Sequence, residues 1–137
     1  MKIVGLDLGD KTLGIAISDA LGMMAHGVET FTFKTAHYKH ALARLVELTK
    51  TETITKFVLG LPKNMDGSEG QRAEISHRFA EKLRAETELP VVLWDERLTS
   101  VQAQRVLIDG NVRRENRKNH IDKLAATIIL QSYLDAN

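Results

Sequence analysis

Four acidic residues from three distant parts of the chain stand where secondary-structure elements begin or end. Asp7 lies inside the apolar run KIVGLDL (2–8), Asp95 and Glu96 close the run VVLWDE (91–96), and Asp122 opens the last apolar-periodic segment. Burying a lone ionised carboxylate costs on the order of several kcal/mol, so Asp7 must be solvated, paired, hydrogen-bonded or bound to a cation. Three carboxylates drawn together by one sheet would suit Mg²⁺ or Mn²⁺, hard cations that prefer oxygen ligands. Two such ions, about 4 Å apart, activate the attacking water and stabilise the leaving oxygen in phosphodiester hydrolysis. Each acid also has a purely structural reading. Asp7 can bond to the adjacent turn, Asp95 or Glu96 can pair with Arg97, and Asp122 is N3 of the last helix if Asn119 is its N-cap.

The elements that would position these acids follow from hydrophobic period. Runs 2–8 and 13–19 flank GDKT and predict a hairpin, with a third strand over about 24–33. Alternation puts Asp7 on the face of Ile3 and Gly5, away from Val4, Leu6 and Leu8, and the small Gly5 and Gly9 leave room for an approaching group. Tyr38, Ala41, Leu42, Leu45 and Leu48 mark a helix over 36–51, and KFVLGLP (56–62) is a buried strand stopped by Pro62. KNMDGSEG (63–70) is a loop whose Ser68, with Gln71, makes a capping box for a helix to about 87, striped by Ile75, Phe79 and Leu83. Pro90 opens the fifth strand, and Thr99 with Gln102 caps a further helix ending near Gly110. NVRRENRKN (111–119) has no apolar period and reads as an exposed basic loop, followed by a helix over 120–135 that buries Ile121, Leu124, Ala125, Ile128 and Ile129. Antiparallel strands followed by alternating helices and strands predict an α/β fold: a five-stranded mixed sheet with helices on both faces. The fifth strand then delivers Asp95 and Glu96 to the carboxyl edge, where open α/β sheets bind ligands. Alternation does not choose between these two acids if the strand ends there.

With 137 residues, 43% of them hydrophobic and 27% charged, the chain is expected to form one domain, 1–137, with a real core. It contains no cysteine, which excludes disulfides, thiolate catalysis and sulfur-ligated zinc. The five histidines lack a metal-ligand pattern, and no serine triad is suggested. There is no apolar run of the roughly 18 residues needed to cross a bilayer, and Met1-Lys2 leads straight into a strand. A cytoplasmic protein without membrane contact is therefore expected. The net charge is only +1, but residues 97–123 carry seven basic and three acidic side chains. Arg113, Arg114, Arg117 and Lys118 lie just before Asp122 and are candidates to grip phosphates, unless this run is simply a solvated loop.

Four blocks, GLDLGDKTLGIAISD, GLPKNMDGSEG, DERLTSVQA and IDKLAATIILQSYL, resemble the YqgF family of Holliday junction resolvase-like proteins and pre-16S rRNA nucleases, in order and over essentially the whole chain. That family is similar to the ribonuclease H-like superfamily, whose fold has three antiparallel strands followed by alternating helices and parallel strands. The resemblance implies that Asp7, Glu96 and Asp122 are the catalytic, metal-binding acids of a two-ion Mg²⁺ or Mn²⁺ site, with Asp95 as the substitute for Glu96. It also implies nucleic-acid contacts at Lys11, Asn64, Ser68 and Arg97 beside the basic run, although Asn64 and Ser68 equally suit turn formation and capping. Thr12 stands where members often carry Arg, and Lys63 where an apolar residue is more usual; both departures bear on substrate contacts and leave the acids intact. Precursor rRNA, within ribosome precursors, is the substrate favoured over branched DNA, because resolving a four-way junction needs paired incisions and the chain shows no dimer seam. Two other readings remain. An actin-like phosphate loop at DLGDKTLG needs a second domain, for which 137 residues are too few, and a ribosome-assembly factor would bind nucleic acid without cutting it.

Overall fold

Period-two alternation of apolar residues builds the first half of the sheet in a computed structural model that describes residues 1–98 and 114–137, with the side chains of 1–97 and 123–137. Strands β1 (Lys2–Leu8), β2 (Thr12–Ser18) and β3 (Ala25–Thr32) run antiparallel. Helix α1 (Tyr38–Thr51) leads to β4 (Ile54–Leu61), which pairs in parallel with β1, and α2 (Gln71–Thr87) leads to β5 (Val91–Asp95), parallel to β4. Glu96–Leu98 form a single 3₁₀ turn, and α3 spans Arg114–Ala136. The sheet order is β3-β2-β1-β4-β5, the expected mixed arrangement. Among the described residues no helix is long and apolar enough to cross a membrane.

One face of the sheet carries Val4, Leu6, Leu8, Leu13, Ile15, Phe57 and Leu59, and packs against Ala41, Leu45 and Leu48 of α1 and Phe79, Ala80 and Leu83 of α2. Each fully buried leucine here contributes about 1.5–3 kcal/mol relative to exposure. The other face is covered by α3 through Ala126, Ile129, Leu130 and Tyr133. Across that face the register aligns Gly27, Ala16, Gly5, Val58 and Val92 in one row, so small side chains lie under the helix. The approach is close: a Cβ on Gly5 would stand 2.5 Å from the Leu130 Cβ and 2.9 Å from the Ala126 carbonyl oxygen. Polar contacts fix the helix lengthwise. Gln131 accepts from the Ala25 amide (2.9 Å), Lys56 donates to the Tyr133 hydroxyl (2.8 Å) and the Trp94 indole donates to Ser132 (3.1 Å).

Three expectations are corrected. First, the final helix starts at Arg114, so Arg114, Arg117 and Lys118 belong to helix rather than loop, and Asn119 is no N-cap. Arg, Glu and Lys are strong helix formers, and nothing between 114 and 136 breaks a helix; only the apolar period is missing there. Asp122 therefore lies in the third turn, not at N3. Second, Leu124 and Ala125 are half-buried, while the fully covered stripe is Ala126, Ile129 and Leu130. Third, α2 takes Gly70 as its N-cap without a side-chain cap bond, and Ser68 stays within its own loop: its oxygen, the acceptor a cap would use, takes the Asn64 amide (3.0 Å) while its hydroxyl donates to Asp66 (2.6 Å). The helix expected over 99–110, and Arg113, lie outside the described residues.

Gly5→Ala is expected to force α3 off the sheet and to destabilise the protein by about 1–3 kcal/mol in urea unfolding.

Candidate active site

Asp7 reaches the α3 face for the reason alternation suggests: its neighbours Leu6 and Leu8 fill the opposite core. It is half-buried and pairs with Gly14 of β2. On its other side runs β4. Leu6 stands opposite Leu59, so one step further along both strands Asp7 comes beside Gly60. Parallel strands lie about 4.8 Å apart. Glu96, the first residue past β5, folds its side chain back over that glycine: an ideal Cβ on Gly60 would stand 2.6 Å from the Glu96 Oε1, 2.8 Å from its Cγ and 2.7 Å from the Ile129 Cδ1. The Glu96 carboxylate thus occupies the sheet position beside Asp7, under the flank of α3.

Asp95 turns the other way. It pairs with Leu61, and Val91 and Leu93 of the same parity belong to the α1/α2 core. Its carboxylate accepts from the Arg97 Nε (3.1 and 3.0 Å to its two oxygens), the Arg97 Nη2 (2.7 Å) and the Arg97 amide (2.9 Å). The Arg97 guanidinium bonded to it holds the Asp95 carboxyl below its ordinary value of 3.8, against a smaller opposing effect of desolvation, and the same contact raises Arg97. Of the two adjacent acids, Asp95 takes the ion-pair role and Glu96 faces Asp7.

Helix α3 runs antiparallel to β4, with Tyr133 at Lys56 near the start of that strand and Ile129 at Gly60 near its end. Ala126 and Leu130 cross Gly5. Asp122 lies one turn, about 6 Å, before Ala126, and Asp7 lies two residues, about 7 Å, beyond Gly5 in the same direction. The α3 backbone at position 122 therefore comes to the level of Asp7; the Asp122 side chain lies outside the description. Among the described residues no three metal-ligating groups converge. Asp7 and Glu96 supply two of the three expected carboxylates, hard oxygen donors that suit Mg²⁺ or Mn²⁺, above a strand position that any side chain other than glycine would fill.

The remaining predicted contacts are distributed around this corner. Lys11 is exposed in the β1–β2 turn, and Arg114, Arg117 and Lys118 stand in the opening turns of α3. Asn64 and Ser68 close their own loop: the Asn64 amide donates to the Ser68 hydroxyl (3.0 Å), and both the hydroxyl and backbone amide of Ser68 donate to Asp66 (2.6 and 2.9 Å). The Ser68 hydroxyl is the main cause of a lowered Asp66 carboxyl. Gly67, at φ 89°, sets the loop tip beside Arg97.

Two residues escaped the sequence reading. Arg72 donates from Nη2 to the Leu8 carbonyl (3.0 Å) and from Nη1 to the Asp10 carboxylate, tying the end of β1 to α2. A cation in the first turn of a helix opposes the macrodipole, and that misplacement was its signal. Gly60 was the other; a glycine inside a buried strand marks close approach of another group.

Residues 1–136 match the family described as RuvX: Holliday junction resolvase. A protein of Bacillus licheniformis named "Putative pre-16S rRNA nuclease" is 54% identical over 136 residues, covering 99% of this chain and 98% of its own. One of the same name from Bacillus subtilis is 53% identical, covering 99% of each. The fowlpox virus resolvase, solved with its substrate Holliday junction DNA, superposes with a TM-score of 0.64 at 16% identity, covering 99% of this chain and 98% of that one. At that identity the likeness is one of fold.

Arg97→Gln tests the ion pair through pH. A depressed Asp95 stabilises the fold fully above the unfolded value near 3.8, and the contribution disappears as pH falls through the lower folded value. The stability deficit of the variant should therefore be constant from neutral pH to about pH 5 and shrink below about pH 4. Unfolding titrations across that range, with NMR titration of the Asp95 carboxyl, measure it.

Proposed function

We propose that this chain, which belongs to the family described as RuvX: Holliday junction resolvase, is a metal-dependent nuclease that hydrolyses phosphodiester bonds in precursor 16S rRNA. The observation that carries the reading is the Glu96 carboxylate lying over Gly60, at the strand position beside Asp7. Two ionised carboxylates so close would repel one another, and a cation between them removes that cost. Asp7, Glu96 and Asp122 would hold Mg²⁺ or Mn²⁺, which when bound polarises the phosphodiester and stabilises the leaving oxygen. Asp7 is central, with Glu96 on the β4 side and Asp122 on α3 above.

Acids at the centre repel a phosphate chain, so affinity must come from the surroundings. Lys11, Arg114, Arg117, Lys118 and Arg113 supply cations that need no base-specific geometry, which suits a backbone grip. Arg97 adds positive potential while its fork holds Asp95, and the Asn64–Ser68 loop, closed by its own hydrogen bonds, shapes the rim beside it. The choice of precursor rRNA, encountered within ribosome precursors, rests on the full-length relatives bearing that name. Branched DNA is the second reading, favoured by the description of the family.

Purified protein incubated with Mn²⁺ or Mg²⁺ should cleave labelled precursor 16S rRNA in preference to generic single-stranded RNA and four-way DNA junctions. Asp7→Asn should lower the rate about 100-fold or more, since even outer-shell partners of metal sites are worth roughly 10- to 100-fold. Equal cleavage by this variant would refute the site, and faster junction cleavage would transfer the substrate to DNA. Asp122→Asn, within the helix, should abolish cleavage while leaving the unfolding midpoint unchanged. Replacing Arg113 and Arg114 by Ala should weaken RNA binding and flatten the plot of log affinity against log salt by roughly 0.7 per lost phosphate contact.

A further inference from the structure

Gly60 occupies a position that its backbone does not explain. It lies in β4 between the buried Leu59 and Leu61, and its φ is not among the positive values found at Gly22 and Gly67. A glycine inside a strand packs nothing and weakens the strand, so what it contributes is space. The space is taken by the Glu96 Oε1, the Glu96 Cγ and the Ile129 Cδ1, all within 3 Å of where a Cβ would stand.

Gly5 faces a different kind of neighbour. There the nearest atoms are the Leu130 Cβ and the Ala126 carbonyl, part of the helix itself, so a methyl group must push α3 away. At Gly60 the obstacles are the outer parts of two side chains, which can turn aside while strand and helix stay in place. A methyl group at 60 therefore leaves the fold intact and displaces the carboxylate.

We infer that Gly60 is a positioning residue for metal binding: its missing side chain is the seat on which the Glu96 carboxylate lies against the sheet beside Asp7, and cation affinity depends on that seat. The inference rests on Glu96 being a metal ligand, as proposed above. It accounts for a glycine in a strand that would otherwise favour a β-branched residue, and for a ligand from past the end of β5 reaching a site on β1.

Gly60→Ala, Glu96→Gln and the double variant are compared by thermal unfolding and by calorimetric titration with Mn²⁺. Gly60→Ala is expected to unfold within a few degrees of the parent, to bind Mn²⁺ at least about tenfold more weakly, and to add no further loss in the Glu96→Gln background. Gly60→Ala/Ile129→Val relieves the helix-side contact; it should fold even if the single variant does not, and its Mn²⁺ affinity should stay low. Parental affinity in Gly60→Ala, an equal further loss in the Glu96→Gln background, or recovery of affinity with Ile129→Val would each overturn the inference. The two readings fail differently: parental Mn²⁺ binding by Glu96→Gln removes Glu96 from the site, whereas weak binding by Glu96→Gln beside parental binding by Gly60→Ala removes only the seat.

Discussion

Helix α3 meets the sheet at Gly5 with no strand side chain between them, and the rest of the molecule is arranged around that contact. A helix is usually held off a sheet by the side chains that fill the gap; here Gly27, Ala16 and Gly5 form a shallow trough across three strands. The helix settles into it, with the Ala126 carbonyl close above the β1 backbone. The contact is local. Toward β4 and β5 the row widens to Val58 and Val92, and larger groups return as Tyr133 meets Trp94 edge-on at 5.5 Å between ring centroids.

Because the trough fixes the depth of α3, it also fixes what lies beyond its end. Two residues past Gly5 the sheet offers Asp7, flanked by Gly14 and Gly60, and the same helix passes overhead. An acid on a sheet face is costly wherever a helix excludes water. It costs less at the carboxyl edge, where Asp7 remains half-buried. On the opposite face Asp95 is paired with the Arg97 guanidinium of the same turn.

Much of this was legible in the sequence, for reasons particular to each element. Alternation in KIVGLDL assigned Asp7 to its face, and the strand order followed from hairpin spacing and the buried run of β4. The start of α3 was hidden because RENRK (114–118) forms helix through propensity alone and shows no apolar stripe. Ser68 looked like a cap, but its oxygen accepts from the Asn64 amide four residues back, and a capping pattern does not reveal that rivalry. The choice between Asp95 and Glu96 needed the register of β5 against Leu61, a long-range fact that two adjacent acids do not carry. Gly60 and Arg72 were overlooked because each matters through a residue far along the chain, Glu96 for one and Leu8 and Asp10 for the other.

The pairing of Asp95 with Leu61 has one more implication. Adjacent acids on opposite faces make β5 a strand whose slippage is chemically visible. A shift of one residue would send every side chain to the other face, bringing the shorter Asp95 toward Gly60 and Glu96 toward the α1/α2 core. Trp94 would be driven from Tyr133 into a layer already filled by Phe79 and Leu83. The misregistered strand would lose its aromatic contact and crowd the α1/α2 layer, so the packing of Trp94 is what decides which of the two adjacent acids lies beside Asp7.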